Sequence, residues 1–272
     1  MNYAIIAAGN GSRLAQEGVA QPKPLVRVQG ECLIERLFRI FSQNDAENIF
    51  VICNEEMKDV AEFIRMYATQ CRARISEPEI HLLVKSTPSS MHSLYELSQL
   101  MRKEMTSDKF ILTTVDTIFD EKEFSEYVSL FAADDSADSM MGLTTYIDDE
   151  KPLYVEVSSC NADDPSCRAD DPSCRAKISE PNSTSKSAST SKITGYFDTQ
   201  SGCTHISAGI YGLSTKAFAV LDHCIESGQS RMRNFQRALV AEGLLLRPFV
   251  FSNVFDIDHA SDIEKAENYL KK

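Results

Sequence analysis

The chain is 272 residues long, with 43% hydrophobic and 25% charged residues, the balance of a globular protein that buries a substantial core. A formal net charge of -12 excludes a general nucleic-acid binder, because phosphate backbones are held by clustered Lys and Arg. No apolar run approaches the length of a membrane span, and the opening Met1-Asn2-Tyr3-Ala4-Ile5-Ile6 lacks the basic start of a signal peptide. The expectation is a cytoplasmic protein with neither a membrane nor a nucleic-acid partner. The eight cysteines contain no Cys-x-x-Cys pair and scatter through apparent helices and strands, which favours free thiols over disulfides or zinc.

Tyr3 to Ala7 is a short continuous apolar run, the signature of a strand covered on both faces. Leu33, Ile34, Leu37, Phe38 and Phe41 then recur at helical spacing. Strand patterns at 49–53, 80–84 and 110–115 alternate with helical ones at 57–67, 91–105 and 119–131. Such alternation predicts βαβ units and a mixed, mostly parallel sheet with helices on both faces. Ligands of these sheets bind past the carboxyl ends of the strands, so the residues after each strand are the ones to inspect.

Further strands are predicted at 139–146 and 153–157. From Ser158 to Lys192 the chain is rich in Ser, Asp, Pro and charge, with Ile178 its only bulky apolar residue, and a mobile loop is expected. Within it the heptapeptide Ala162–Arg168 is repeated as Ala169–Arg175, read as a local duplication in a tolerant loop. Strands at 193–197 and 205–213, helices at 216–225 and 232–241, a strand at 244–251 and a helix at 263–270 complete one domain spanning 1–272.

The most informative segment is Ala7-Ala8-Gly9-Asn10-Gly11-Ser12-Arg13-Leu14, directly after the first strand. Two glycines flanking one residue let the backbone turn sharply and present N–H groups to a phosphate. A dinucleotide-binding fingerprint would want a third glycine where Leu14 stands and a helix straight after the turn. A Walker loop would want Gly-Lys-Ser/Thr, which is absent. About ten residues on comes Pro22-Lys23-Pro24-Leu25-Val26.

Together these two segments resemble the signature of the sugar-phosphate nucleotidyltransferase superfamily, which includes sugar-1-phosphate, inositol-phosphate and phosphocholine nucleotidyltransferases. The resemblance implies a three-layer, Rossmann-like α/β nucleotidyltransferase fold. It implies that Ala7, Ala8, Gly9, Gly11, Ser12 and Arg13 wrap the triphosphate of an NTP, and that Arg13 and Lys23 neutralise charge during transfer. Asp116, just past the strand ending at Val115, matches the family's first Mg²⁺ ligand, while Asp120 reads as a helix cap. Asp258, in Phe255-Asp256-Ile257-Asp258-His259-Ala260-Ser261-Asp262, matches the second, with Asp256 its competitor and Asp262 a helix-start residue. Ser89 and Ser90 stand where the family selects the base; they replace its glycines, and capping would explain them equally well. Gly209, in Ala208-Gly209-Ile210-Tyr211, is similar to a strand that lines the family's acceptor pocket.

The implied reaction is attack by a phosphorylated small molecule, most simply a sugar-1-phosphate or polyol phosphate, on the α-phosphorus of an NTP, with Mg²⁺ as cofactor and pyrophosphate leaving. The rival readings are a nucleotide-sensing module without turnover and a nucleotidyltransferase of the molybdenum-cofactor type.

Overall fold

The computed structural model describes residues 1–73, 77–147, 151–158 and 191–271. Strand β1 (Asn2–Ala7) is buried along its whole length, because alternate residues feed two separate cores. Tyr3, Ile5 and Ala7 enter one core; Ala4 and Ile6 enter the other. A glycine turn leads to the short helix α1 (Ser12–Gln16), a 3-10 turn at Lys23–Leu25, the pair β2 (Arg27–Val28) and β3 (Glu31–Cys32), and helix α2 (Leu33–Ser42). Next come β4 (Asn48–Cys53), α3 (Lys58–Arg72), β5 (Glu79–Val84), α4 (Ser90–Glu104), β6 (Lys109–Thr114), β7 (Thr117–Ile118) and α5 (Glu121–Ala133). The remainder is β8 (Ser139–Thr144), β9 (Tyr154–Ser158), β10 (Lys192–Phe197), β11 (His205–Ser214), α6 (Lys216–Glu226), α7 (Met232–Ala241), β12 (Leu246–Phe251), β13 (Phe255–Asp256) and α8 (Ala260–Leu270).

The main sheet has nine strands in the order β10-β9-β11-β6-β1-β4-β5, with β8 also paired to β11 and β12 to β8. The β6-β1-β4-β5 half is parallel, as its helical crossovers require. Strand β11 then runs antiparallel to β6, β8 and β9, and β10 antiparallel to β9, so only β10 and β11 oppose the common direction. Helices α2, α3, α5 and α8 pack in one core, and α4, α6 and α7 in the other. This is the expected three-layer α/β arrangement with a mixed, mostly parallel sheet.

Helix α3 runs on to Arg72, past its expected end at 67, and α8 starts at Ala260 rather than 263. Other local departures lie nearer the site. A helix does follow the glycine turn, but it is a single five-residue turn that stops at Glu17, before Gly18 and Pro22. Helix α5 starts at Glu121 rather than Phe119, because β7 occupies the intervening chain and Asp120 caps the helix by accepting from Lys122 and Glu123 N–H. Strand β12 starts at Leu246, two residues later than its apolar run.

The expected mobile loop at 158–192 and its duplicated heptapeptide lie, apart from the segment's ends, outside the described residues; at those ends Ser158 pairs with Lys192. Cys32, Cys53, Cys71, Cys203 and Cys224 are free thiols, while Cys160, Cys167 and Cys174 fall outside the described residues. Among the described residues no helix is long and apolar enough to cross a membrane.

Candidate active site

The sheet delivers the site through its strand ends. β1 ends at Ala7, β4 at Cys53, β5 at Val84 and β6 at Thr114, all on one edge because these strands are parallel and in register. Asp116 sits in the turn after β6. The chain near the C-terminus returns to that turn through a two-residue ladder, with Phe255 opposite Ile118 and Asp256 opposite Thr117. Ile257 N–H then donates to the Asp116 carbonyl at 3.1 Å. Asp116 and Asp258, far apart in sequence, are thereby brought together.

Lys23 joins them. Its Nζ donates to Asp116 Oδ2 at 2.5 Å and to Asp258 Oδ1 at 2.7 Å, and Arg13 Nη1 donates to Asp258 Oδ2 at 2.9 Å. The cluster is graded in depth: the side chains of Lys23 and Asp116 are 11% and 15% exposed, those of Asp258 and Arg13 44% and 52%. Burial alone would lower the Lys23 pKa, but the Asp116 charge and hydrogen bonds to both carboxylates outweigh it and raise it. Burial opposes ionisation of Asp258, yet Lys23 and Arg13 hold its pKa below the usual carboxylate value. Asp256, which lines the same cleft as Arg13, accepts from Thr117 Oγ1 at 3.0 Å rather than from Lys23. Desolvation and the Asp116 charge push its carboxyl up, but the side chain faces open solvent, so water offsets part of that shift.

The glycine loop is built to lie on this cluster. Gly11 has φ +58°, and a Cβ there would meet Lys23 Cβ at 3.1 Å, so glycine lets the loop pass close over Lys23 without strain. Asn54, the first residue past β4 and only 7% exposed, fastens the loop. Its Nδ2 donates to Asn10 Oδ1 at 2.7 Å, and its Oδ1 accepts from Ser86 Oγ and Glu56 N–H. On the other side Glu17, at the end of α1, accepts from His259 Nδ1 and Ala260 N–H, both at 2.6 Å, which ties the Arg13 turn to the start of α8. Asp262 completes that helix start by accepting from Asp258 and His259 N–H.

Two clefts meet at the ion cluster. One, of about 330 Å³, is lined by Gly9, Asn10, Gly11, Lys23, Ser89 and Asp116 among others. The larger, of about 640 Å³, takes in Arg13, Asp258, Gly209 and the start of α7. Ser89 and Ser90 border both. Ser89 is also the cap of α4, its Oγ accepting from His92 N–H, so capping is realised while the hydroxyls still edge the clefts. Gly209, with φ +71°, lies in the irregularity of β11 between Ser207 and Tyr211, where the pairing with β8 slips and opens the floor of the larger cleft. Ala7 is buried at the end of β1 and Ser12 opens α1; neither lines these two clefts.

Among the described residues no group of three or more His, Cys, Asp or Glu is placed to hold a metal alone. A converging carboxylate pair already holding one cation suits a hard ion that completes its shell with phosphate oxygens and water, as Mg²⁺ does. Sequence reading missed Asn54, the Glu17–His259 clamp and Gln236. The strand-end rule that selected Asp116 applies equally to Asn54. A glutamine in the buried stripe of α7, next to Phe235, was the available signal for Gln236.

A family described as the MobA-like NTP transferase domain matches residues 3–160, more than half of the chain. The bifunctional IPC transferase and DIPP synthase of Thermococcus kodakarensis is 32% identical over 124 residues, 45% of this chain and 24% of that protein. The chain thus aligns with about a quarter of the length of this relative. Among solved structures, an inositol-1-phosphate CTP transferase from T. maritima superposes with a TM-score of 0.67 at 15% identity, covering 100% of this chain and 96% of its own. A putative glucose-1-phosphate thymidylyltransferase from Bacillus anthracis gives a TM-score of 0.71 at 15% identity, with the same coverage. A UDP-glucose pyrophosphorylase gives 0.70 at 13%, covering 100% and 99%. These structures share the fold across the whole chain, and the family match runs over the glycine loop, Lys23 and Asp116. The chain belongs to the MobA-like NTP transferases and is a nucleotidyltransferase.

Proposed function

We propose that this enzyme transfers a nucleoside monophosphate from an NTP to a sugar-1-phosphate or polyol phosphate in the cytoplasm, using Mg²⁺ and releasing pyrophosphate. The observation that carries the proposal is the Lys23 bridge between two strand-end aspartates, at the junction of a nucleotide-sized cleft and a larger one. The similar structures of an inositol-1-phosphate CTP transferase and a putative glucose-1-phosphate thymidylyltransferase support that acceptor class.

The NTP occupies the smaller cleft, its phosphates against the glycine-loop N–H groups and the start of α4. The acceptor lies in the larger cleft over Gly209. An oxygen of the acceptor phosphate forms a bond to the α-phosphorus, and the bond from that phosphorus to the leaving pyrophosphate oxygen breaks. The nucleophile is already an anion, so no Ser-His or Cys-His relay is needed. Alignment and charge neutralisation carry the rate. Arg13 holds the triphosphate and Lys23 spans donor and acceptor phosphates, which would otherwise repel. Asp116 and Asp258 would hold Mg²⁺, which supplies further neutralisation of the phosphate oxygens when bound.

Purified enzyme given each NTP with glucose 1-phosphate, myo-inositol 1-phosphate and phosphocholine should release pyrophosphate with at least one sugar or polyol acceptor, and Asp116→Asn should abolish it. Release that survives Asp116→Asn would overturn the reading. The family's MobA-like description favours a pterin-type cofactor precursor as the second acceptor to try if the panel is silent.

A further inference from the structure

The buried stripe of α7 contains one polar residue with no evident structural reason. Gln236 is 3% exposed, between Phe235 at 1% and Leu239 at 0%, yet it borders the larger cleft. A glutamine in such a position costs free energy unless its amide is used. Half of it is. Ser207 Oγ donates to Gln236 Oε1 at 2.8 Å, and the Tyr211 phenol interacts with the same Ser207 hydroxyl.

The direction of this relay follows from what each group can give. Ser207 has a single proton, and it is donated to Gln236 Oε1. With its oxygen committed, Gln236 can only turn its –NH₂ away from Ser207. That nitrogen has no protein partner among the described residues and keeps some access to solvent, so it reaches the cleft. Ser207, Tyr211 and Gln236 all line that cleft, beside Gly209.

We infer that Gln236 is a specificity-determining residue, a fixed amide donor that receives an uncharged oxygen, a hydroxyl, on the body of the acceptor. The inference rests on the proposed sugar- or polyol-phosphate activity and adds to it which feature of the acceptor is read and by which atom. An acceptor with a hydroxyl at this point satisfies the donor. One with a methyl or methylene there leaves a desolvated amide unpaired, and such sites discriminate strongly.

The test compares wild type, Gln236→Leu and Gln236→Glu by pyrophosphate release. The acceptor is whichever of glucose 1-phosphate and myo-inositol 1-phosphate wild type uses better, together with its monodeoxy analogues. Gln236→Glu keeps the bond from Ser207 but replaces the donor by an acceptor. For wild type, one deoxy analogue should lose roughly tenfold or more in kcat/KM relative to the parent. Both variants should lose about as much on the parent acceptor and nothing further on that analogue, with KM for the NTP unchanged. A purely structural role would lower kcat/KM on every analogue alike and would not erase dependence on a single hydroxyl. Variants that retain the full penalty for that hydroxyl overturn the inference while leaving the activity standing. Wild-type inactivity on every sugar and polyol phosphate overturns the proposed acceptor class and this inference together.

Discussion

Replacing Lys23 by methionine separates the two things this side chain does. In the free protein its ammonium lies 2.5 Å from one carboxylate oxygen and 2.7 Å from another, on Asp116 and Asp258. Those oxygens are therefore within about 5 Å of each other, where two unit charges repel by about 3 kcal/mol at an effective dielectric near 20. Asp258 is 44% exposed, so solvent screening reduces the figure to about 1–2 kcal/mol. Methionine fills the lysine stem's volume, and the penalty that remains is mainly electrostatic. For a chain of this size that is a fall of several degrees in Tm without metal. Mg²⁺ held by the same carboxylates would remove the repulsion, so thermal melts with and without roughly millimolar Mg²⁺ should show a larger metal-induced rise for Lys23→Met than for wild type. Transfer should nevertheless fall by about 10²–10³, because the phosphates lose a preorganised cation that metal in the carboxylate pair does not replace. The reasoning is refuted if Lys23→Met melts with wild type in EDTA and responds no more strongly to Mg²⁺.

Three further perturbations probe how the site is held. Asn54→Leu removes the amide that ties Asn10 to Ser86; KM for the NTP should rise about tenfold with kcat changed less, read by steady-state kinetics, and an unchanged KM would show that the loop holds itself. Gly11→Ala forces a side chain into φ +58° against Lys23 and should cost about 1–2 kcal/mol in denaturant melts, whereas a Cβ at Gly9 meets nothing within 4 Å, so Gly9→Ala should melt normally and weaken only nucleotide binding by calorimetry. Hydrogen bonds from Arg39, together with the Arg36 and Arg39 charges, hold the Glu121 pKa below its ordinary 4.5. A depressed carboxyl stabilises the fold above the unfolded value and loses that contribution as pH falls through the folded one. Wild type should therefore lose stability relative to Glu121→Gln on acidification below about pH 4.5, and parallel melts of the two proteins down to pH 3 would refute this.

Sequence reading placed most of the longer strands and helices to within a residue or two, including half-exposed ones such as β5 and α7. β1, β4 and β6 are continuous apolar runs, and the apolar spacing of 33–41 placed α2. The short pieces that assemble the site carry no such signal. β7 and β13 have two residues each, and the register of Asp256 against Thr117 links segments more than a hundred residues apart. Local sequence around Asp256 and Asp258 therefore carried no account of which one meets Lys23. That was decided when Ile257 docked on the Asp116 carbonyl and turned the two side chains different ways. Ser89 was ambiguous for another reason: a cap hydroxyl at the start of α4 also edges both clefts, so both roles have the same residue type as their signature. The polar break in the α7 stripe marked Gln236 as unusual, but its role depends on Ser207, supplied by β11 from across the cleft.

The charge of the site bears on how a protein of net charge -12 binds a polyanion at all. Arg13 and Lys23 are matched by Asp116 and Asp258, so the four side chains sum to zero, and Asp256 can only make the balance more negative. A free triphosphate would meet no net attraction beyond the N–H groups of the glycine loop and the α4 start. On the proposed reading Mg²⁺, if held by Asp116 and Asp258, would add two positive charges and would engage the carboxylates that otherwise hold Lys23. Lys23 would then be free to exchange carboxylate oxygens for phosphate oxygens of the same charge and similar spacing. Binding the donor and arming the lysine are thus one electrostatic event, which is why nucleotide affinity and transfer should share a single dependence on Mg²⁺ concentration.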